Sequence, residues 1–225
     1  MQAFAALPDL SRLTIPEGRL PALKPLFETT HPDERWDAFS LTLEDLHADL
    51  AAITLNESVP AQVRQLFETA KDLCLYSWYV YDFHSIADLT GFLALEAALR
   101  ARAEKERPGL AKRRLADLLD HAIASGWITE EGIGHRTDIA RKRVEQRKAF
   151  EAIASMTETG AESVRIEEPT QAEITEEAAS MKVIESICDA ARRLRNALAH
   201  GRPFLHPDSA GRLRITADLI NQLFP

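Results

Sequence analysis

The sequence predicts an all-α fold, an up-and-down helical bundle preceded by an irregular N-terminal arm. Two observations carry this. Apolar residues recur at three- and four-residue spacings through most of the 225 residues, and strand-like alternation is confined to one short candidate, Leu213–Thr216. A third bounds the size: at 45% hydrophobic residues the chain can fill one good-sized core.

Five of the eleven prolines, Pro8, Pro16, Pro21, Pro25 and Pro32, fall in the first forty residues. Proline removes a backbone donor and clashes with the preceding turn, so this segment reads as an arm laid over the domain. A short helix follows near 43–53. Ser58 and Pro60 suit an N-cap and first turn. From there Val63, Leu66, Phe67, Ala70, Leu73, Cys74, Ser77, Trp78 and Tyr81 form one helical stripe. Residues 86–99 are apolar on most of their circumference, as in a central helix, with Glu96 set inside. Leu115, Leu118, Leu119, Ala122 and Ile123 mark another amphipathic helix over 110–125, which Gly126 can end. Residues 135–155 are charge-dense with a weak stripe of Ile139, Val144, Phe150 and Ile153, the pattern of a solvated helix. Between 156 and 180 stand seven glutamates against one arginine, with Gly160 and Pro169, which reads as a mobile acidic loop. A long helix is expected over 176–200, stopped by Gly201 and Pro203, and a short one over 217–224. The division that follows is an arm and short helix over 1–57, then a bundle over 58–225 carrying a charged and acidic insertion at about 130–176.

Formal net charge is -8, which argues against general polyanion binding by the whole molecule. The charge is uneven. From Met181 to Arg214 seven Lys/Arg face three Asp/Glu, net +4, leaving -12 elsewhere. Cys74 and Cys188 each sit in an apolar helical pattern and read as buried thiols. No stretch has the length of a membrane span and no secretory signal opens the chain, so a cytoplasmic location is expected.

One stretch carries candidate chemistry: Arg192-Arg193-Leu194-Arg195-Asn196-Ala197-Leu198-Ala199-His200-Gly201. It resembles the signature of the HEPN superfamily, in which an arginine, usually followed by a polar residue, precedes a histidine with four to six residues between them at the end of a bundle helix. Arg195, Asn196 and His200 match in type, order and context, over a resemblance that spans residues 60–225. Spacing alone has little weight: 20 arginines, seven histidines and three offsets give about two chance matches, and three occur, Arg193–His200 within the same stretch among them. The one outside that stretch, Arg114–His121, lies inside an ordinary amphipathic helix.

Active members of that family are metal-independent endoribonucleases, usually dimers that bring two motifs together. The resemblance implies cleavage of single-stranded RNA, of the toxin or defence type, by attack of a 2′-hydroxyl on the neighbouring phosphate. His200 then moves protons and Arg195 stabilises the phosphorane, with no cofactor or metal. The chemistry is apt, because a histidine in the last turn of a helix is poised for acid–base work and a guanidinium fork fits phosphate. Asn196, four residues before His200, could orient its ring. Glu96 and Arg192 are candidate supporting residues, although Glu96 reads rather as the partner of an arginine. The competing reading is capping chemistry in a non-catalytic binding module that meets another protein, such as an antitoxin or a nucleotidyltransferase. A homodimer is expected, with the aromatic stretch Trp78–Phe83 as a candidate interface. Glu44-Asp45-Leu46-His47 has the E-x-x-H spacing of di-iron bundles, but it occurs singly and reads as a surface helix. Trp78, Tyr79 and Tyr81 could stack bases, with core or interface as the better reading.

Overall fold

Eight α-helices and no strand occur among the residues that the computed structural model describes, which are 29–38, 41–107, 109–159, 163–199 and 208–225. The fold is all-α. By contact density the chain divides into two units, residues 1–128 with 189–225, and residues 129–188.

The first unit is built around α3 (Phe83–Glu106). As its apolar circumference suggests, α3 is buried on several sides, by Ala87, Phe92, Ala94, Leu95, Ala98 and Leu99 among others. Beside it lie α2 (Ala61–Tyr76), α4 (Leu115–Ala124) and α8 (Ser209–Leu223). Directions follow from end contacts. Ser77, just past α2, meets His84 in the first turn of α3, so this pair is antiparallel. His84 also meets Ser209 at the start of α8, and Lys105 near the end of α3 lies 5.2 Å over the Phe224 ring, so α3 and α8 run parallel. Gly91 lets these two approach closely: a Cβ there would stand 2.7 Å from Leu213 Cδ2.

The short helix α1 (Leu43–Ala51) begins with a capping box in which Thr42 and Asp45 satisfy each other's backbone donors. Ser58 does not cap α2. Its hydroxyl donates instead to the Phe224 carbonyl, and Pro60 takes the cap position without a side-chain bond. α2 also stops short of the expected stripe, leaving Trp78 and Tyr81 in the turn to α3. Part of the proline-rich arm, residues 1–28, lies outside the described residues. Its end is ordered as a 3-10 turn, Glu34–Ala38, which buries Trp36 against Trp78, Tyr81 and His84. Gly126, at φ +68, ends α4 as anticipated. α8 runs well beyond the expected 217–224 and absorbs Leu213–Thr216, so the strand candidate there is helical.

The second unit is a helical pair, α5 (Arg136–Thr159) and α6 (Gln171–Ser180), followed by the first turns of α7 (Val183–Ala199). The expected acidic loop over 156–180 is therefore half helix. Thr170 and Glu173 form a capping box that starts α6, and the glutamates find cations on α5: Glu173 meets Lys148 at 2.9 Å and Glu177 meets Arg147 at 2.8 Å. The long helix expected from 176 is broken at Met181, whose backbone is extended. On α5, Ala140 and Val144 are buried, whereas Phe150 and Ile153 of the expected stripe are exposed.

Candidate functional site

Arg195 and Asn196 lie on α7, near the C-terminal end of its described span Val183–Ala199, and His200 follows in sequence. Leu194, between Arg193 and Arg195, is fully buried. The side chains of Arg192, Arg195 and Asn196, and the whole of His200, lie outside the described residues, so the expected Asn196–His200 contact does too.

Glu96 has a partner on its own helix. Its carboxylate meets Arg100 at 2.6 Å, and the same guanidinium donates to the carbonyls of Ala111 and Arg113. These bonds hold the chain after α3 in place, a structural task. The decoy pair is likewise explained locally. Arg114 stands at the N-cap of α4 with an exposed ion pair to Asp117, and His121 packs edge-on against Trp127 near Glu106.

A polar cluster that sequence reasoning passed over lies where the ends of α2, α3 and α8 meet. His84 is 1% exposed, with Nε2 at 3.2 Å from Ser77 Oγ and Nδ1 at 3.0 Å from Ser209 Oγ. Proton accounting assigns part of this network. The single Ser77 hydroxyl proton goes to the Cys74 carbonyl at 2.6 Å, so Nε2 of His84 carries a proton and donates to Ser77. One turn on, Asp88 and Arg212 form an ion pair at 2.8 Å with side chains 1% and 10% exposed. Burial pushes the Asp88 carboxyl up to about 7, against the pull of the Arg212 charge. Burial likewise pushes the Cys74 thiol up to about 12, with the Asp88 and Asp208 charges adding, so this sulfur is a poor nucleophile. The residue types are those of hydrolases, but at these exposures no substrate reaches them. The cluster pins α8 to α3. The signal was present in the sequence: His84 and Asp88, four apart and polar, open a helix whose stretch 86–99 is apolar on most of its circumference.

A second feature is open to solvent. Leu43, Glu44 and His47 of α1, with Leu75, Tyr76 and Tyr79 at the end of α2 and just beyond, line a cavity of about 430 Å³. The E-x-x-H pair is thus on the surface, as its isolation suggested, yet it faces a concavity. Among the described residues no group of three or more His, Cys, Asp or Glu could hold a metal ion. The aromatic stretch divides. Tyr81 is fully buried beneath the Arg35 guanidinium, 4.5 Å from its ring centre, and Trp78 stacks on Trp36 at 5.2 Å. That leaves Tyr79 at the cavity and takes Trp78 and Tyr81 into internal packing. Burial works against ionisation of Asp33 beside this stack, but Arg35 holds its carboxyl below the usual range.

No described helix is long and apolar enough to cross a membrane. Comparison of the chain with family models, with curated proteins and with solved structures gives no match.

Proposed function

We propose that this chain is an HEPN-like helical protein that cleaves single-stranded RNA without a metal, through Arg195, Asn196 and His200. The observation that supports the reading is that Arg195 and Asn196 both lie on α7, near the C-terminal end of its described span Val183–Ala199, with His200 next in sequence. In this mechanism His200 takes the 2′-hydroxyl proton, the freed oxygen attacks the adjacent phosphorus, and the 5′-oxygen leaves with a proton returned to it. Arg195 neutralises charge on the phosphorane oxygens. The site is composite, completed by a second copy of the chain in a two-fold homodimer.

The test uses the full-length protein, single-stranded RNA and excess EDTA. Cleavage leaving 2′,3′-cyclic phosphate ends is expected, with His200→Ala lowering the rate by about a hundred- to ten-thousandfold. Arg195→Ala is expected to act comparably, and Arg114→Ala to leave cleavage intact. Thermal melts of the variants stay near wild type. Cleavage that persists in His200→Ala at the wild-type rate overturns the assignment, and a monomer in light scattering overturns the composite site. The second reading, a non-catalytic module docking another protein such as an antitoxin or nucleotidyltransferase, draws on Phe150 and Ile153. These lie one turn apart on α5 at 61% and 45% exposure. A His200→Ala variant with unchanged chemistry and a much lower melting temperature favours it.

A further inference from the structure

The α1–α2 cavity has the makings of a binding site that is independent of the nuclease reading. Its volume, about 430 Å³, lies toward the small end of ligand pockets and suits a nucleoside better than a large cofactor. Four of its lining residues are Leu43, Leu75, Tyr76 and Tyr79, so most of the wall is apolar or aromatic. Tyr76 is 56% exposed, an unusual outlay of aromatic surface for a residue beside a concavity. Such walls favour a flat ring that can stack.

Two polar side chains set the rest. Glu44 and His47 lie one turn apart on α1, and neither makes a hydrogen bond or ion pair with a described residue. The helix beneath them is fixed, because Leu46 and Leu50 are buried and the capping box holds the first turn. A carboxylate only accepts, and its two oxygens match two parallel donors. Guanine offers that pair, N1–H beside the 2-amino group. Adenine and cytosine set one amino group beside a bare ring nitrogen, whose lone pair opposes a carboxylate, and uracil flanks its single N–H with carbonyls. An imidazole N–H from His47 suits the 6-oxo group. No lysine or arginine is among the described residues that line the cavity, so the chemistry recognises a base rather than its phosphate.

We infer that the cavity formed by Glu44, His47, Tyr76 and Tyr79 binds a guanine base, stacked on tyrosine and read along its Watson–Crick edge by Glu44. The base could belong to a free guanosine compound or to single-stranded RNA.

Calorimetric titration of the full-length protein with guanosine, adenosine, cytidine and uridine tests this. Guanosine is expected to bind at least about tenfold more tightly than the other three, with GMP equal to guanosine and little change between low and high salt. Glu44→Gln presents an amide donor where an acceptor is needed, and should weaken guanosine by about tenfold or more. Its effect on inosine, which lacks the 2-amino group, should be smaller. Tyr76→Ala should weaken all four nucleosides. Both positions are exposed, so unchanged melting temperatures verify the fold. A guanine-containing oligoribonucleotide that binds more tightly than guanosine, and loses that gain in Glu44→Gln, identifies RNA as the source. Equal affinities identify the free compound. Absence of guanosine binding at millimolar concentration, equal affinity for guanosine and adenosine, or an unaffected Glu44→Gln variant each overturns the proposal.

Discussion

Charge joins two helix pairs in this molecule, α3 with α8 and α5 with α6, and the two joints differ in how much water they keep. On α5, Arg143 and Arg147 remain 48% and 50% exposed as they meet Glu177. At the other joint Asp88 and Arg212 have given up nearly all hydration. The carboxyls respond in opposite directions. Glu173, held by Lys148 and by the Thr170 cap, is drawn down to about 2, whereas burial drives Asp88 up to about 7. Attraction dominates where solvent screens the ions. Desolvation dominates where it does not. The buried pair is also incompletely satisfied: Asp88 Oδ1 and Arg212 Nη2 find no partner among the described residues. Such a pair specifies which helices meet without adding much stability itself.

That contrast can be broken experimentally. The largest effect is expected from Asp88→Ala, which strands a buried guanidinium and should cost about 3–5 kcal/mol in urea unfolding. The double variant Asp88→Leu with Arg212→Met should cost far less, because both charges go. If it is as damaging as the single change, the ion pair is a net stabiliser and the contrast fails. Next comes pH. The Asp88 carboxyl titrates near 7 when folded, against an ordinary value of 3.8. Between these values the folded protein holds a proton that the unfolded chain has released, so this group makes stability fall as pH rises. The slope reaches at most about 1.4 kcal/mol per pH unit and flattens above about pH 7. Unfolding midpoints measured from pH 5 to 8 should show it, and Asp88→Asn should remove it. The smallest effect belongs to Glu177→Gln, expected to cost less than about 1 kcal/mol and to fade as salt is added. A loss there that matches Asp88→Ala would mean that exposure is a poor guide to what these charges do.

Much of the fold was legible in the sequence where hydrophobic periodicity is strong. The stripe from Val63 to Cys74 and the apolar run of α3 are local patterns, and local patterns survive into structure. α6 was hidden because its acidic composition imitates a loop. Its cations sit on a different helix, although Thr170-Gln171-Ala172-Glu173 is itself a start signal. The ends of elements were the weak point: α8 begins at Ser209 because Asp208 caps it, accepting from the Gly211 N–H. Of the candidate site, sequence singled out the Arg195–His200 stretch and, separately, Glu44, His47 and Tyr79. It could not show that the last three share a cavity with Tyr76. Nor could it pair Asp88 with Arg212, since no local rule links residues 124 positions apart.

The same separation has a consequence for how the protein is made. Asp88 emerges from the ribosome 124 residues before Arg212, and Ser58 emerges 166 residues before Phe224, the carbonyl to which it donates. At about 5–20 residues per second the first interval lasts roughly 6–25 s. During it, the surface of α3 that α8 will cover stays open to water, and an acidic side chain destined for the interior stays hydrated. The second unit, residues 129–188, is synthesised within that interval, and its α5–α6 pair joins neighbouring stretches of sequence. The order of completion is therefore the reverse of the order of translation: the helical pair in the middle of the chain can close first, and the bundle that begins earlier finishes last.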